Sequence, residues 1–200
     1  MTAAIDFYFD FSSPYGYLAA QKIDALAATH GRGVTWRPFL LGVVFKTTGM
    51  APLPQIPLKG DYSKRDFERS ARFHGIPFRL PSAFPIGTVA ATRAFYWQAS
   101  KDASRAVAFA QALYRAYFVD DVDISKADNV LKTAAGLGLD AAALRAGLDD
   151  PAIKELARNE VDAALARGVF GSPYLIVDGE PFWGVDRFDQ LERWLARGPF

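Results

Sequence analysis

Ile5-Asp6-Phe7-Tyr8-Phe9-Asp10-Phe11-Ser12-Ser13-Pro14 passes from strand to helix within one short stretch. Residues 5–11 are β-branched and aromatic with Asp6, Tyr8 and Asp10 interspersed, which suits a short strand with one face deeply buried. Ser12-Ser13-Pro14 stops it. Pro14 lacks an amide donor and sits well in the first turn of a helix that Ser12 or Ser13 can cap. The pattern predicts that helix over residues 15–30, with Leu18, Ile23 and Leu26 inward and Gly31 and Gly33 ending it. Residues 34–40, Val-Thr-Trp-Arg-Pro-Phe-Leu, then read as a second strand. It should run parallel to the first, because a helix of this length is the usual crossover between parallel neighbours.

Working outward, Pro52, Pro54, Pro57, Pro77, Pro81 and Pro85 punctuate residues 42–85, leaving only 62–74 as an uninterrupted helix in an insertion with long loops. Ala-rich helical stretches follow at 88–98, 104–118, 125–137 and 141–148. Ser125-Lys126-Ala127-Asp128 opens the third of these like a capping box with Asp in place of Glu. No internal repeat or low-complexity segment interrupts them. Residues 151–168 form another amphipathic helix closed by Gly168. Tyr174-Leu175-Ile176-Val177, Asp178-Gly179 and Glu180-Pro181-Phe182-Trp183 then spell a hairpin with an Asp-Gly turn, and 187–196 form a last helix. The order βαβ, helices, αββα is an α/β fold interrupted in the middle by helices.

Composition narrows the function. The 200 residues are 50% hydrophobic and 22% charged, which suits one globular domain or one domain with a sizeable insertion and excludes disordered or collagen-like order. With 23 Lys and Arg against 22 Asp and Glu, the net charge of +1 supplies no field to draw the chain onto nucleic acid or anionic lipid. The absence of cysteine removes disulfides, thiolate metal sites and a cysteine nucleophile together. His30 and His74 leave little material for zinc, so no metal is expected. No apolar run approaches the roughly 20 residues needed to span a bilayer. The N-terminal residues show no basic segment leading into an apolar one, so a cytoplasmic protein is expected.

The chemistry is expected where residues 11–14 put two hydroxyls between a strand's carboxyl end and a helix's amino end, a place where ligands of open α/β sheets bind. Position alone does not choose between Ser12 and Ser13, nor between catalysis and an ordinary N-cap. Neither serine stands in a Gly-x-Ser-x-Gly elbow, and both histidines fall at helix ends, so a hydrolase triad is poorly supported. The second signal is Val169-Phe170-Gly171-Ser172-Pro173-Tyr174. Here a proline opens a strand, which is allowed at an edge or as a cis turn.

Four motifs in order now carry a resemblance over nearly the whole chain: a strand with Phe-Asp-Phe, Ser13-Pro14 opening a helix, Phe170-Gly171-Ser172-Pro173 before a hairpin, and Trp183-Gly184-Val185-Asp186-Arg187 before the last helix. The chain resembles the family of kappa-class glutathione transferases and 2-hydroxychromene-2-carboxylate isomerases, a DsbA-like branch of the thioredoxin superfamily. The resemblance implies a thioredoxin-like domain at residues 1–41 and 155–200, with an all-helical domain at 42–154 inserted between its βαβ and ββα halves. It implies glutathione as cofactor, a small aromatic acid as substrate, and a homodimer. Ser13 falls where the family's serine contacts the glutathione sulfur. Ser172 precedes the family's cis-proline, here Pro173, and its backbone would pair with the cysteinyl unit. Trp183, Gly184, Val185 and Asp186 match the segment receiving the γ-glutamyl end, with Asp186 meeting the ammonium. Val185 departs from the polar residue usual there, which leaves its backbone amide as the expected contact. Lys59 matches a lysine that reaches the glycyl carboxylate, with a solvated surface lysine as the alternative. Lys46 aligns with a cation facing an acidic substrate. Phe84 stands where the isomerase type has a substrate-facing tyrosine, and Met50 near a polar glutathione contact of the transferases.

On this resemblance the first expectation is a glutathione-dependent cis/trans isomerase converting 2-hydroxychromene-2-carboxylate to trans-o-hydroxybenzylidenepyruvate. The thiolate adds to the conjugated double bond, lets it rotate as a single bond, and leaves again. The alternatives are a kappa-type transferase or peroxidase, which consumes glutathione, and a cysteine-free thioredoxin-like module that clamps an extended peptide beside Pro173.

Overall fold

In a computed structural model, residues 4–200 are described. The chain runs β1 (Ile5–Phe9), α1 (Pro14–Ala20), α2 (Ile23–Thr29), β2 (Val34–Pro38), α3 (Leu41–Thr48), a 3-10 turn (Leu53–Gln55), α4 (Lys59–Phe73), α5 (Val89–Ala99) and α6 (Ala103–Phe118). It continues with α7 (Ala127–Gly136), α8 (Ala141–Asp149), α9 (Pro151–Ala166), β3 (Tyr174–Val177), β4 (Glu180–Trp183), a second 3-10 turn (Val185–Arg187) and α10 (Phe188–Arg197). The sheet order is β2-β1-β3-β4, with β1 parallel to β2 and antiparallel to β3, and β3 antiparallel to β4. This is the expected thioredoxin-like α/β fold, with helices separating the two halves of the sheet in sequence.

Strand alternation explains why helices cover both sheet faces. Ile5, Phe7 and Phe9 of β1 enter the larger core, where Phe9 meets Phe95 of α5 and Tyr114 of α6. Tyr8 points the other way, into a second cluster with Val44 of α3 and Val161 and Ala164 of α9. Helix α9 runs unbroken across residues 154 and 155, where the resemblance divides the chain. Close helix packing is bought with small residues: a Cβ at Gly147 of α8 would come within 2.1 Å of the Trp97 indole on α5.

Beside Tyr8 on the second face, Asp6 takes Arg37 Nε on one carboxylate oxygen and Arg167 on the other, each at 2.7 Å. Arg37 also reaches Glu160 at 3.2 Å, so β1, β2 and α9 share one network. Burial pushes the Asp6 carboxyl up, but the two guanidinium groups outweigh it and hold it below the ordinary carboxylate range. A lowered folded-state value contributes stability above the ordinary range that is lost as pH falls through the lowered value. Asp6→Asn should therefore cost about 1 kcal/mol at neutral pH, a size set by the partial exposure of these groups. In urea melts the gap from wild type should close in acid; a gap that stays constant with pH would mean the carboxylate charge is not what stabilises.

Several elements differ from the sequence reading, each for a local reason. β1 stops at Phe9 because the next amide, that of Asp10, leaves the ladder to donate to Ser172 Oγ. The single helix expected at 15–30 is two helices, with the chain turning at Gln21-Lys22; Asp24 of α2 then accepts the Trp36 indole N–H at 3.0 Å. α3 occupies part of the expected loop, and α4 starts at Lys59, earlier than residue 62. Ser125 is not the cap of α7: its amide and hydroxyl both go to the Asp123 carboxylate, and Lys126 at the cap position makes no side-chain cap bond. The hairpin is as expected, with Asp178 at φ 52° and Gly179 at φ 91° in the turn.

Candidate active site

The two ends of the fold meet at Ser13. Its Oγ accepts the Gly16 N–H at 3.0 Å, capping α1, and donates to the backbone carbonyl of Ser172 at 2.9 Å. Cap and candidate site residue are thus one hydroxyl. Ser172 Oγ in turn accepts the Asp10 N–H at 3.0 Å. The Ser172–Pro173 peptide is cis, as is Phe84–Pro85, and the Gly184 N–H donates to the Pro173 carbonyl at 3.0 Å, tying the segment after β4 to the same corner. Ser13 is 6% exposed and Ser172 8%, so the pair is sheltered from bulk water.

Asp10 organises this corner and was not singled out from sequence. It is 4% exposed, and its carboxylate accepts the N–H of Ser12 at 2.7 Å, the N–H of Leu41 at 2.8 Å and the Thr88 hydroxyl at 3.1 Å. Its backbone carbonyl takes the Tyr114 hydroxyl at 3.0 Å and the Ser13 N–H at 2.9 Å. Burial pushes the Asp10 carboxyl up, opposed by the three donors that it accepts. One side chain therefore joins the serine loop, the start of α3 and the residue before α5. Ser12 has a different partner: its Oγ accepts the Ile86 N–H at 3.1 Å and so anchors the Phe84-Pro85 loop.

Gly16 makes the corner possible. A Cβ there would lie 2.7 Å from Ser172 Oγ and 2.8 Å from the Tyr114 hydroxyl, so only glycine lets α1 approach Ser172 and α6 this closely. The signal in the sequence was a glycine inside a helix, where it costs about 1 kcal/mol against alanine and so asks for a packing reason.

The remaining expected residues lie at different distances from the corner. Gly184 adopts φ 102°, and a Cβ there would fall 2.3 Å from Asp186 Oδ1. Val185 is buried, while Asp186 is exposed with Arg187 at 3.3 Å. Trp183 is 54% exposed; its indole lies over Gly171 and edge-on to Phe170 at 4.9 Å. Tyr15, two residues after Ser13, donates its hydroxyl to Asp66 of α4. Its phenol is pushed above the ordinary range by burial first and that hydrogen bond second, with the Asp186 charge adding, which brings the acidic tip of the 183–186 segment into the field of α1. Phe84 connects to this neighbourhood through Phe67, which meets Phe84 at 6.0 Å and Tyr15 at 5.0 Å. Lys46, in the last turn of α3, and Lys59, opening α4, are both exposed, and no hydrogen bond or ion pair among the described residues joins either to the serines. Met50 is exposed just beyond α3.

Histidine plays no part at the corner: His74 pairs with Lys22 at 3.3 Å, and His30 stands at the end of α2 with its Nε2 buried. Among the described residues no group of His, Asp and Glu is arranged to hold a metal ion, and no helix is long and apolar enough to cross a membrane.

Comparison with known proteins agrees with this fold. Residues 4–196 match the DSBA-like thioredoxin domain. The chain is 32% identical to a 2-hydroxychromene-2-carboxylate isomerase of Sphingobium xenophagum over 98% of this chain and 99% of that one. It is 27% identical to glutathione S-transferase kappa 2 of Caenorhabditis elegans over 98% of this chain and 92% of the other. A solved 2-hydroxychromene-2-carboxylate isomerase superposes with a TM-score of 0.86 at 29% identity, covering 97% of this chain and 95% of that one. With the cysteine-free corner of Ser13 and Ser172 set in that fold, the chain belongs to the DSBA-like thioredoxin family, in the group that includes the 2-hydroxychromene-2-carboxylate isomerases and kappa-class glutathione transferases.

Proposed function

We propose that this protein is a glutathione-dependent cis/trans isomerase of 2-hydroxychromene-2-carboxylate or a closely similar aromatic acid. The observation that carries the reading is the Ser13 hydroxyl bridged to the Ser172 carbonyl in a chain without cysteine. A hydroxyl can hold a thiolate by hydrogen bonding but cannot form the mixed disulfide of a redox enzyme.

The residues present fit the tripeptide in chemical type. Ser13 would turn its O–H from the Ser172 carbonyl to the sulfur, releasing that carbonyl and the backbone before Pro173 to pair with the cysteinyl unit as an added strand does. Trp183, Gly184 and the Val185 amide would flank the γ-glutamyl end, the exposed Asp186 carboxylate would take its ammonium, and Lys59 the glycyl carboxylate. Bound there, glutathione supplies the nucleophile that adds to the substrate double bond and leaves after rotation. Lys46 would meet the substrate carboxylate and Phe84 its ring. A free thiol has a pKa of about 8.5, so a hydrogen bond to its anion, about 1.5–3 kcal/mol, would lower that pKa by about one to two and raise the thiolate share near neutrality.

The test follows isomerisation of the chromene acid by ultraviolet absorbance with catalytic glutathione, and measures the glutathione remaining. Turnover with glutathione undiminished supports the isomerase. The kappa-like relative makes a conjugating transferase the second reading, and stoichiometric loss of glutathione would replace the first by it. Glutathione should also raise the melting temperature saturably, by the equivalent of about 2.7 kcal/mol at about a hundredfold excess over Kd. S-methylglutathione should protect less. No protection by either would leave the corner without its cofactor.

A further inference from the structure

We propose that a cavity lined by none of the residues of the serine corner is a second ligand site, for a small monocarboxylate with an apolar, ring-sized body. The cavity measures about 250 Å³ and lies where α3, α5 and α9 converge. The apolar part of its wall comes from Leu40, just before α3, Val43 on α3, Val89 on α5, and Ala157 and Val161 on α9. Val43 and Val89 remain 39% and 42% exposed, although each stands one turn from buried core.

Two independent observations point to an anion with an apolar body. Thr92 lines the cavity and is 1% exposed, yet its hydroxyl has no hydrogen-bond partner. A buried polar group left unpaired is costly in a molecule with no use for it. Around the same cavity stand Arg93, Arg158 and Lys154 against one carboxylate, Asp162. Lys154 is engaged with Asp149 at 3.0 Å, whereas among the described residues Arg93 and Arg158 have no ion pair or side-chain hydrogen bond. Guanidinium forks with no partner, above an apolar pocket, match a carboxylate in charge and in geometry.

The position is distinct from the serine corner but shares its anchor. Leu41, which opens α3, and Thr88, which precedes α5, both donate to the Asp10 carboxylate, and Asp10 also holds Ser12 and Ser172. The proposal does not depend on the isomerase reading, because neither glutathione nor catalysis enters it.

Benzoate is the probe, with benzyl alcohol and benzylamine as neutral and cationic counterparts. Two-dimensional amide NMR of the full chain should show saturable shifts at Val43, Val89, Arg93 and Arg158 with benzoate and none with benzylamine. Arg93→Ala with Arg158→Ala should weaken benzoate at least tenfold. Thr92→Val, which preserves shape, should weaken it about fivefold while raising the melting temperature, since it removes the unpaired hydroxyl; this variant guards against loss of binding through misfolding. Shifts confined to the neighbourhood of Ser13 and Ser172, or no saturation by about 10 mM, would overturn the proposal. So would binding equal for benzoate and benzyl alcohol, or sedimentation showing that Arg158→Glu dissociates a dimer that benzoate leaves intact, which would make this face an interface with a second copy.

Discussion

Asp10→Ala should be the most damaging single substitution outside the apolar core, lowering stability by about 3–5 kcal/mol and abolishing measurable turnover. The alanine leaves the Ser12 and Leu41 amides and the Thr88 hydroxyl without their acceptor in a place that water does not reach. Each stranded buried donor costs about 1–3 kcal/mol, and the three are close enough to relax together, so their costs add incompletely. Asp10→Asn should fall in between. The amide removes the burial penalty that pushes the native carboxyl up, but its NH2 group must face one of two backbone N–H donors. Chemical denaturation ranks the three proteins. Asp10→Asn should lose more in kcat than in stability if Ser13 serves the reaction, because its misplaced donor acts on the loop that carries Ser13. Wild-type stability in Asp10→Ala would show that α3 and the serine loop are held by packing alone.

The same residue shows why parts of the chain were legible and others were not. The hairpin was readable because Asp178-Gly179 imposes its turn locally, and α5, α6 and α8 because their apolar spacing needs no outside help. α3 was not, since Gly42, Thr47 and Thr48 are poor helix formers and its first amide is satisfied by Asp10, thirty-one residues earlier. Ser125 misled for the complementary reason: a capping residue next to a better local acceptor, Asp123, bonds to that acceptor instead. At the site, Ser13, Ser172, Pro173 and the 183–186 segment stood out because their motifs carry the family resemblance. Asp10 and Gly16 act by filling, or leaving empty, a particular volume between distant segments, and neither a lone aspartate nor a lone glycine announces that in sequence.

Ser13→Ala should leave the protein folded and cut turnover ten- to a hundredfold, the loss expected from removing about 1.5–3 kcal/mol of hydrogen bonding to a thiolate. Folding should survive because the deletion frees only the Gly16 N–H and the Ser172 carbonyl, and losing such a cap costs about 1 kcal/mol. Ser12→Ala removes the acceptor for Ile86 and loosens the loop that carries Phe84, so it should raise KM and leave kcat nearly unchanged. The pH profiles separate the roles further. If glutathione binds as proposed, wild type should lower the thiol pKa from about 8.5 and reach its plateau below that value, whereas Ser13→Ala must wait for hydroxide to supply the thiolate and should recover as pH rises past it. A crippled Ser12→Ala beside a normal Ser13→Ala would reassign the hydroxyl. If both variants keep the wild-type profile, Ser13 is a helix cap and nothing more, and the thiolate must be held by backbone N–H groups.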